Sequence, residues 1–355
     1  MKVLSLFDGI SCGRLALERA GIPVEKYYAS EIDKYAIAVA QKNYPDTIQV
    51  GDVNKVHFTD YIGKVDLIIG GSPCQDLSIA KQNREGLQGE RSGLFWRYVD
   101  ALATIRPKWF LLENVASMRN EDRDAITETL RKIYPDVECT MINSALLSAQ
   151  QRKRYYWTNW HVEQPQDKGI LLKDVLESGQ VIRDGKSHAV ISSVGRTTER
   201  EYFKKNQGEL VALPCAMQTR EDELGKFKRL ETKDDNKANS LTSVQTDSMV
   251  AEPVRIGELD GLGKGQANRI YSVRGKSVCL NANGGGGGAK TDLYKVDLPD
   301  GDYIIRKLTP VECERLQTLP DGWTDGVSNT QRYKAIGNGW TVDVIAHILK
   351  QIPNA

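Results

Sequence analysis

The chain lacks any apolar run approaching the roughly 18 to 20 residues that a membrane-crossing helix needs, which excludes a membrane-spanning protein. Cysteine is sparse as well. The six present, Cys12, Cys74, Cys139, Cys215, Cys279 and Cys313, lie far apart with no Cys-x-x-Cys pair. That argues against a zinc site or a disulfide framework and for a reducing, cytoplasmic compartment. An excess of one charge is also missing: 48 Lys+Arg stand against 47 Asp+Glu. Bulk electrostatics gives no hint of a nucleic-acid partner, so any such case must come from a site. Met1 to Phe7 do not have the charged-then-apolar layout of a signal peptide, and no leader is expected. What remains is ordinary globular material. With 355 residues, 40% hydrophobic and 27% charged, the chain can form two domains, or one large one, with a real core.

The first 160 residues alternate short apolar runs with helical patterns. Val3-Leu4-Ser5-Leu6-Phe7 reads as a buried strand, followed by a glycine-bearing turn and a helix carrying Leu15, Leu17 and Ala20. Tyr27 to Ser30 gives a second strand and Lys34 to about Asn43 a helix. Ile48 to Val50 and Val65 to Ile69 are further strands. Leu94, Tyr98, Leu102 and Ile105 share a helical face, and Trp109 to Leu112 is the next strand. Asn120 is placed to cap a helix bearing Ile126, Leu130 and Ile133. Val137 to Asn143 and Tyr155 to Trp160 close the series. Such alternation predicts an α/β fold with a doubly wound, mostly parallel sheet.

Residues 165–302 have another texture. They are rich in Gly, Ser, Thr and Asn, nearly balanced in charge, and punctuated by turn signals such as Asp184-Gly185 and Asp300-Gly301. Arg269 to Val273 and Ser277 to Leu280 look like a hairpin split by Arg274-Gly275-Lys276. Gly284 to Gly288 is either a flexible loop or a backbone that a ligand approaches closely. From Tyr303 regular structure resumes. Thr309-Pro310-Val311-Glu312 is a capping box with proline at the first helical position, and Ile345, Ile348, Leu349 and Ile352 form a last apolar stripe. The expected division is 1–164, an insert 165–302, and a return 303–355.

Residues that can carry chemistry gather at the expected strand ends. Phe7 to Gly13 is a strand, turn and helix start that can hold a nucleotide-like ligand on backbone N–H groups. Glu31 ends the second strand, where a carboxylate can accept both ribose hydroxyls, and Asp52 follows the third, placed to read an adenine amino group. The fourth strand ends Gly70-Gly71-Ser72-Pro73-Cys74-Gln75. Its glycines let a ligand or base lie against the backbone, and the proline stiffens the turn that presents Cys74. Glu113-Asn114-Val115 ends the fifth strand, where a partly desolvated carboxyl can donate a proton near neutral pH. Arg152 and Arg154 alternate on one side as the chain enters the last strand, aimed at the same edge as Cys74 and Glu113.

In order along the chain, Phe7-Asp8-Gly9, Gly71-Ser72-Pro73-Cys74-Gln75, Glu113-Asn114-Val115, Gln150-x-Arg152-x-Arg154, Thr309-Pro310-x-Glu312-x-x-Arg315-Leu316-Gln317 and Gly337-Asn338-Gly339 resemble the motifs of the DNA cytosine-5 methyltransferases. Leu4 to Ile10, Ala29-Ser30-Glu31, Gly70 to Cys74 and Gly339-Trp340-Thr341-Val342 resemble the vertebrate de novo enzymes especially. The resemblance covers about residues 1–160 and 303–355. It implies a Rossmann-like class I S-adenosylmethionine-dependent methyltransferase fold with a smaller inserted target-recognition domain like that of bacterial sequence-specific enzymes.

The implied reaction is methyl transfer from S-adenosylmethionine to carbon 5 of a flipped-out cytosine in a short, specific duplex DNA sequence. The resemblance makes Cys74 the nucleophile and Glu113 the proton donor. Arg154 would polarise the base, Arg152 would hold Glu113 and the thiolate, and Asn114 would fix the loop. For the cofactor it implies Phe7, Asp8, Gly9, Ile10, Ser11, Cys12, Glu31, Ile32, Asp52, Val53 and Pro73, closed by Asn338, Gly339 and Trp340. The polar stretch Asp76 to Gly93, with Lys81, Arg84 and Arg91, is the expected lid. Two departures stand out: the family commonly has glycine where this chain has Ser11-Cys12, and Ser or Ala where Gly339 stands.

The implied partner is double-stranded DNA, with no membrane. A cognate restriction endonuclease, a lone methylase and phage self-protection all remain open settings. Three rival readings are a tRNA cytosine methyltransferase, a catalytically dead DNA-binding partner and a nicotinamide-dependent dehydrogenase. The large insert counts against the first, intact Cys74, Glu113, Arg152 and Arg154 against the second, and the Pro-Cys-Gln turn against the third.

Overall fold

Pleating sends successive residues of a strand to opposite faces, and in this chain both faces are apolar. The computed structural model describes residues 1–72, 93–177, 218–222, 225–229, 254–258, 269–280, 293–297, 303–306 and 308–353. The turn Pro73-Cys74-Gln75, the lid residues 76–92, Asp184-Gly185, Gly284 to Gly288 and Asp300-Gly301 lie outside the described residues. Strands β1 (Lys2–Leu6), β2 (Lys26–Ser30), β3 (Ile48–Gln49), β4 (Leu67–Gly71), β5 (Trp109–Val115), β6 (Glu138–Asn143) and β7 (Lys153–Thr158) form one sheet in the order β3-β2-β1-β4-β5-β7-β6.

Strands β1 to β5 run parallel, while β7 is antiparallel to both its neighbours. A parallel pairing of β6 with β7 would need a crossover of roughly a dozen residues or more. The link from Asn143 to Lys153 is too short for that, so β7 reverses.

The described α-helices are α1 (Cys12–Arg19), α2 (Lys34–Asn43), α3 (Gly93–Ile105), α4 (Asn120–Arg131), α5 (Pro310–Leu316), α6 (Asn329–Asn338) and α7 (Val342–Leu349). Val3, Ile69 and Leu111 face a core with Leu15 and Leu17 of α1, Val39 of α2 and Ile345 and Ile348 of α7. Leu4, Ile68, Phe110 and Leu112 face the other, with Phe95, Tyr98 and Leu102 of α3 and Ile126 and Leu130 of α4. Helices on both faces explain why these strands carry no polar alternation. Asn120 does not cap α4; Arg119 holds that place and Asn120 is the first helical residue. The capping box of α5 forms as read: Thr309 N donates to Glu312 Oε2 at 2.8 Å, and Glu312 N to Thr309 Oγ1 at 3.2 Å. Among the described residues no helix is long and apolar enough to cross a membrane.

Six further strands follow. β8 (Gln218–Asp222) and β9 (Gly225–Arg229) pair antiparallel, and β10 (Val254–Glu258), β11 (Arg269–Ser272), β12 (Leu293–Asp297) and β13 (Tyr303–Arg306) form a sheet in that order. Tyr303–Arg306 thus pairs within this second sheet rather than the first. The expected hairpin of Arg269–Val273 with Ser277–Leu280 does not form. β11 pairs with β10 and β12 instead, and Ser277 bridges to Gln150.

Lys276 is the physical reason. It is 1% exposed, and its Nζ donates to the carbonyls of Ala145 (2.8 Å), Ser148 (3.0 Å) and Ile170. Ser277 N donates to Ala149 O at 2.7 Å and Gln151 N to Ser277 O at 2.9 Å, so this segment is stitched to the entrance of β7. A third core gathers Ala149, Tyr271, Val273, Leu280 and Tyr294 with Cys313 and Leu316 of α5.

Candidate active site

Parallel strands deliver their connections to one edge, so the residues after β1, β2, β4 and β5 meet there. After β1 the chain turns through Phe7 (φ 60°), Gly9 (61°) and Ser11 (60°). For the two non-glycine residues this left-handed backbone costs about 1 kcal/mol or more each. An internal network holds it: Ser11 Oγ donates to Asp8 Oδ2 at 2.6 Å and Tyr27 Oη to Asp8 Oδ1 at 2.7 Å. Burial pushes the Asp8 carboxyl above its usual range, against the hydroxyls that pull it down. Asp8 is therefore committed to the turn. Ile10, Ser11 and Cys12 are buried, so any ligand meets only their backbone, and burial pushes the Cys12 thiol up to about 12.

Glu31 accepts Ile32 N and Asp33 N on Oε1 (2.7 and 2.8 Å) and Gly9 N on Oε2 (2.8 Å). A carboxylate has about four acceptor sites, so one is left for a hydroxyl rather than two. Ile32, just beyond, is 75% exposed, an apolar side chain left in solvent at a strand end. Asp52 caps the short turn Val53–Lys55: its Oδ1 accepts Asn54 N at 3.0 Å, and Oδ2 takes no part in the cap. Val53 is buried. A spare acceptor, an exposed apolar neighbour and a second uncommitted carboxylate oxygen at adjacent strand ends fit an adenosyl group.

The two glycines ending β4 answer to the protein itself, not to a ligand lying on them. A Cβ on Gly70 would meet Leu6 O and Tyr98 Cε2 at 2.9 Å each; one on Gly71 would meet Glu113 Oε2 at 2.7 Å and Trp340 Nε1 at 2.9 Å. Register places Gly71 opposite Glu113. Glu113 is 8% exposed; Arg154 Nε pairs with its Oε1 at 2.9 Å and Trp340 Nε1 donates to its Oε2 at 3.2 Å. Asn114 Nδ2 donates to Ser72 Oγ at 3.2 Å, and Asn114 Oδ1 accepts Val115 N at 2.8 Å, tying the end of β5 to the residue before Pro73.

The arginines differ from expectation. Arg154, not Arg152, holds Glu113. Arg152, 6% exposed, donates through Nη1 to Gly337 O (3.3 Å), Leu280 O (3.5 Å) and Cys279 Sγ (3.4 Å), and through Nη2 to Gly339 O (3.1 Å). Gln317 Nε2 also donates to Gly339 O, at 3.2 Å, and its Oε1 accepts Thr341 Oγ1 at 2.7 Å. The turn from Asn338 through Trp340 is thereby fixed beside Cys12 and Gly13. Sequence reasoning missed Gln317, Ser72 and Cys279 as parts of this network. Gln317 and Ser72 stood in quoted motifs without a role; nothing local marks Cys279.

The two sequence departures at this turn explain one another. Gly339 has an ordinary φ of −67°, so space alone decides what fits there, and an added Cβ would lie 3.2 Å from Cys12 Sγ and 3.3 Å from Ala335 O. Gly339→Ala should cost about 1–2 kcal/mol in urea unfolding, and Cys12→Ala in the same chain should recover most of it. Simple additivity of the two losses would refute the coupling.

A doubly wound sheet with one reversed strand, a tight turn after β1 and carboxylates after β2 and β3 defines a Rossmann-like methyltransferase fold. Residues 1–354 match the C-5 cytosine-specific DNA methylases, and the chain belongs to that family. It is thus an enzyme of DNA cytosine-5 methylation, and the family implies S-adenosylmethionine as methyl donor and DNA as substrate. It is 27% identical over 367 residues to the type II methyltransferase M.HhaI of Haemophilus parahaemolyticus, covering 99% of this chain and 94% of that protein. Over 441 residues it is 25% identical to the orphan methyltransferase M.SPRI of Bacillus phage SPR, covering 99% and 97%. In fold it resembles a putative DNA modification methyltransferase encoded within an E. coli prophage, with a TM-score of 0.60 at 19% identity over 99% and 98% of the two chains.

Proposed function

We propose that Cys74 and Glu113 act together on a cytosine flipped out of a short, specific duplex DNA sequence, an extrusion costing a few kcal/mol. The observation that carries this is Glu113 itself, buried at the end of β5, gripped by Arg154 and Trp340, and joined through Asn114 to Ser72, two residues before Cys74. The Cys74 thiolate adds to carbon 6, and the displaced ring electrons move toward N3, which takes its proton from Glu113. Carbon 5 becomes nucleophilic. When bound, S-adenosylmethionine supplies an electrophilic methyl group on its sulfonium. N3 returns its proton to Glu113, and loss of the carbon-5 proton to water then re-forms the double bond and expels the Cys74 thiolate. Arg154 orients Glu113 and reaches toward the base, Asn114 steadies the turn, and Arg152 fixes the Gly337–Gly339 backbone rather than the acid.

For the cofactor the reading assigns Phe7, Gly9, Glu31, Ile32, Asp52, Pro73, Asn338 and Trp340, with backbone contributions from Ile10, Ser11, Cys12, Val53 and Gly339. Asp8 acts as the internal brace of that turn. Residues 1–164 with the returning helices form the catalytic domain, and 165–302 a target-recognition module like that of bacterial enzymes. The likeness of the catalytic motifs to vertebrate de novo enzymes, a cytoplasmic setting and a cognate restriction endonuclease as partner belong to the same reading.

Incubation with methyl-labelled S-adenosylmethionine and, in parallel, unmethylated DNA and total RNA should label only the DNA, on carbon 5 of cytosine in one sequence context. Label in RNA alone would reverse the assignment. Trp340→Phe, which keeps a ring but removes the donor to Glu113, should lower kcat about tenfold while S-adenosylmethionine affinity by calorimetry changes less than about threefold. An unchanged kcat would remove Trp340 from the acid's support.

A further inference from the structure

Arg97 belongs to no motif of the reaction and stands one turn into α3, yet it grips the turn that Asp52 caps. Its Nε and Nη2 donate to Val53 O at 3.3 and 3.0 Å, and Nη2 also donates to Val56 O at 3.1 Å. These carbonyls mark the two ends of the Val53–Lys55 turn, so one planar fork spans it from outside. A turn this short makes few bonds of its own: Lys55 N donates to Asp52 O at 2.8 Å, and Val56 N to Val53 O at a long 3.4 Å. The guanidinium is itself held. It lies 4.6 Å from the centroid of the buried Phe58 ring, and its Nη1 pairs with Asp100 one turn along the helix. The helix is fixed on the sheet by Phe95 and Tyr98, both buried, with Tyr98 Oη donating to Leu111 O of β5 at 2.9 Å. Asp52 is thus tied to rigid structure through the backbone that follows it. Asn54 N and Asn54 Nδ2 both donate to its Oδ1, at 3.0 and 3.1 Å, which leaves Oδ2 as the oxygen for an adenine amino group.

We propose that Arg97 is a positioning residue for cofactor recognition: by bridging Val53 O and Val56 O it sets the direction in which Asp52 presents Oδ2, and with it the preference for adenine over a purine that lacks the 6-amino group. The proposal rests on Asp52 reading that amino group. Without the fork the turn can rotate on its short cap, and a hydrogen bond from the amino group to the carboxylate weakens steeply once its angle is lost. The contacts assigned to the turn after β1 and to Glu31 after β2 do not pass through Arg97.

The test is calorimetric binding of S-adenosylhomocysteine and of S-inosylhomocysteine, its 6-oxo counterpart, to the parent, Arg97→Met and Arg97→Lys. The parent should prefer the adenosyl compound by about thirtyfold or more, because hypoxanthine sets a carbonyl against the Asp52 carboxylate. In Arg97→Met the preference should fall below about fivefold, through weaker binding of the adenosyl compound. Arg97→Lys keeps the charge but cannot span two carbonyls as a fork does, and its preference should match that of the methionine variant within about twofold. In methylation of unmethylated plasmid DNA, KM for S-adenosylmethionine should rise about tenfold in both variants while kcat at saturation stays within about twofold. The preference is a ratio taken within one protein, so a general loss of stability cancels from it. A parent-like ratio in Arg97→Met or in Arg97→Lys would overturn the proposal, as would a loss of kcat with KM unchanged. A parent that binds both compounds alike would instead remove Asp52 as the reader of the amino group, and the positioning role with it.

Discussion

Replacing Cys74 with alanine should abolish methylation, by about ten-thousand-fold or more in kcat, while S-adenosylmethionine binding stays within about twofold. The size follows from the chemistry, because carbon 5 of cytosine is not nucleophilic until something has added to carbon 6. Among the described thiols, burial pushes Cys12 and Cys139 up to about 12 and Cys313 is buried in the third core, so none of these three can substitute. A duplex carrying 5-fluorocytosine at the target should trap the parent enzyme, since the fluorine cannot leave carbon 5 as a proton does and the sulfur stays bound. A denaturation-resistant protein–DNA band is expected with methyl donor present and absent for Cys74→Ala. Turnover in the alanine variant, or no band with the parent, would dismiss the nucleophile.

Lys276→Met should destabilise the protein by about 3 kcal/mol in urea unfolding. Methionine leaves the carbonyls of Ala145, Ser148 and Ile170 without their donor in a buried place, at about 1–3 kcal/mol each, offset by relief from burying an ammonium group. Burial holds the Lys276 ammonium below the ordinary lysine range, only partly countered by Asp167 and Asp174. Because the folded value is the lower one, the unfolded chain binds more protons between it and the unfolded value of about 10.4, so stability from this residue grows as pH rises through that window. The gap between parent and variant should therefore be smaller at neutral pH and wider near pH 10. A variant as stable as the parent at neutral pH would show that the three carbonyls find other partners.

Local chemistry made some features legible and distance hid others. The box Thr309-Pro310-Val311-Glu312 carries its whole explanation in four adjacent residues, and α5 starts where it says. The apolar runs marked β1, β4 and β5 because burial on both faces leaves a signal in each of these strands. The direction of β7 depends on the length of its connection, which an apolar run does not encode. The misread hairpin turned on Lys276, an exposed-looking lysine whose partners lie more than 100 residues away in sequence. At the site, strand-end positions brought Glu31, Glu113 and Arg154 to one edge as expected. That Arg154 rather than Arg152 holds Glu113 came from Gly337 and Gly339, whose carbonyls claim the first arginine only once the chain has folded back.

That folding back has a consequence for how the molecule is made. Trp323 Nε1 donates to Ile10 O at 3.1 Å, Arg19 reaches Thr318 O and pairs with Asp343 at 2.7 Å, and α7 packs on α1. The turn after β1 is thus locked by residues more than 300 positions later in the chain, and contacts of such sequence separation form slowly. Until those later residues leave the ribosome, a nascent chain would carry the apolar side of α1 uncovered, the stretch of its life in which it most needs a chaperone.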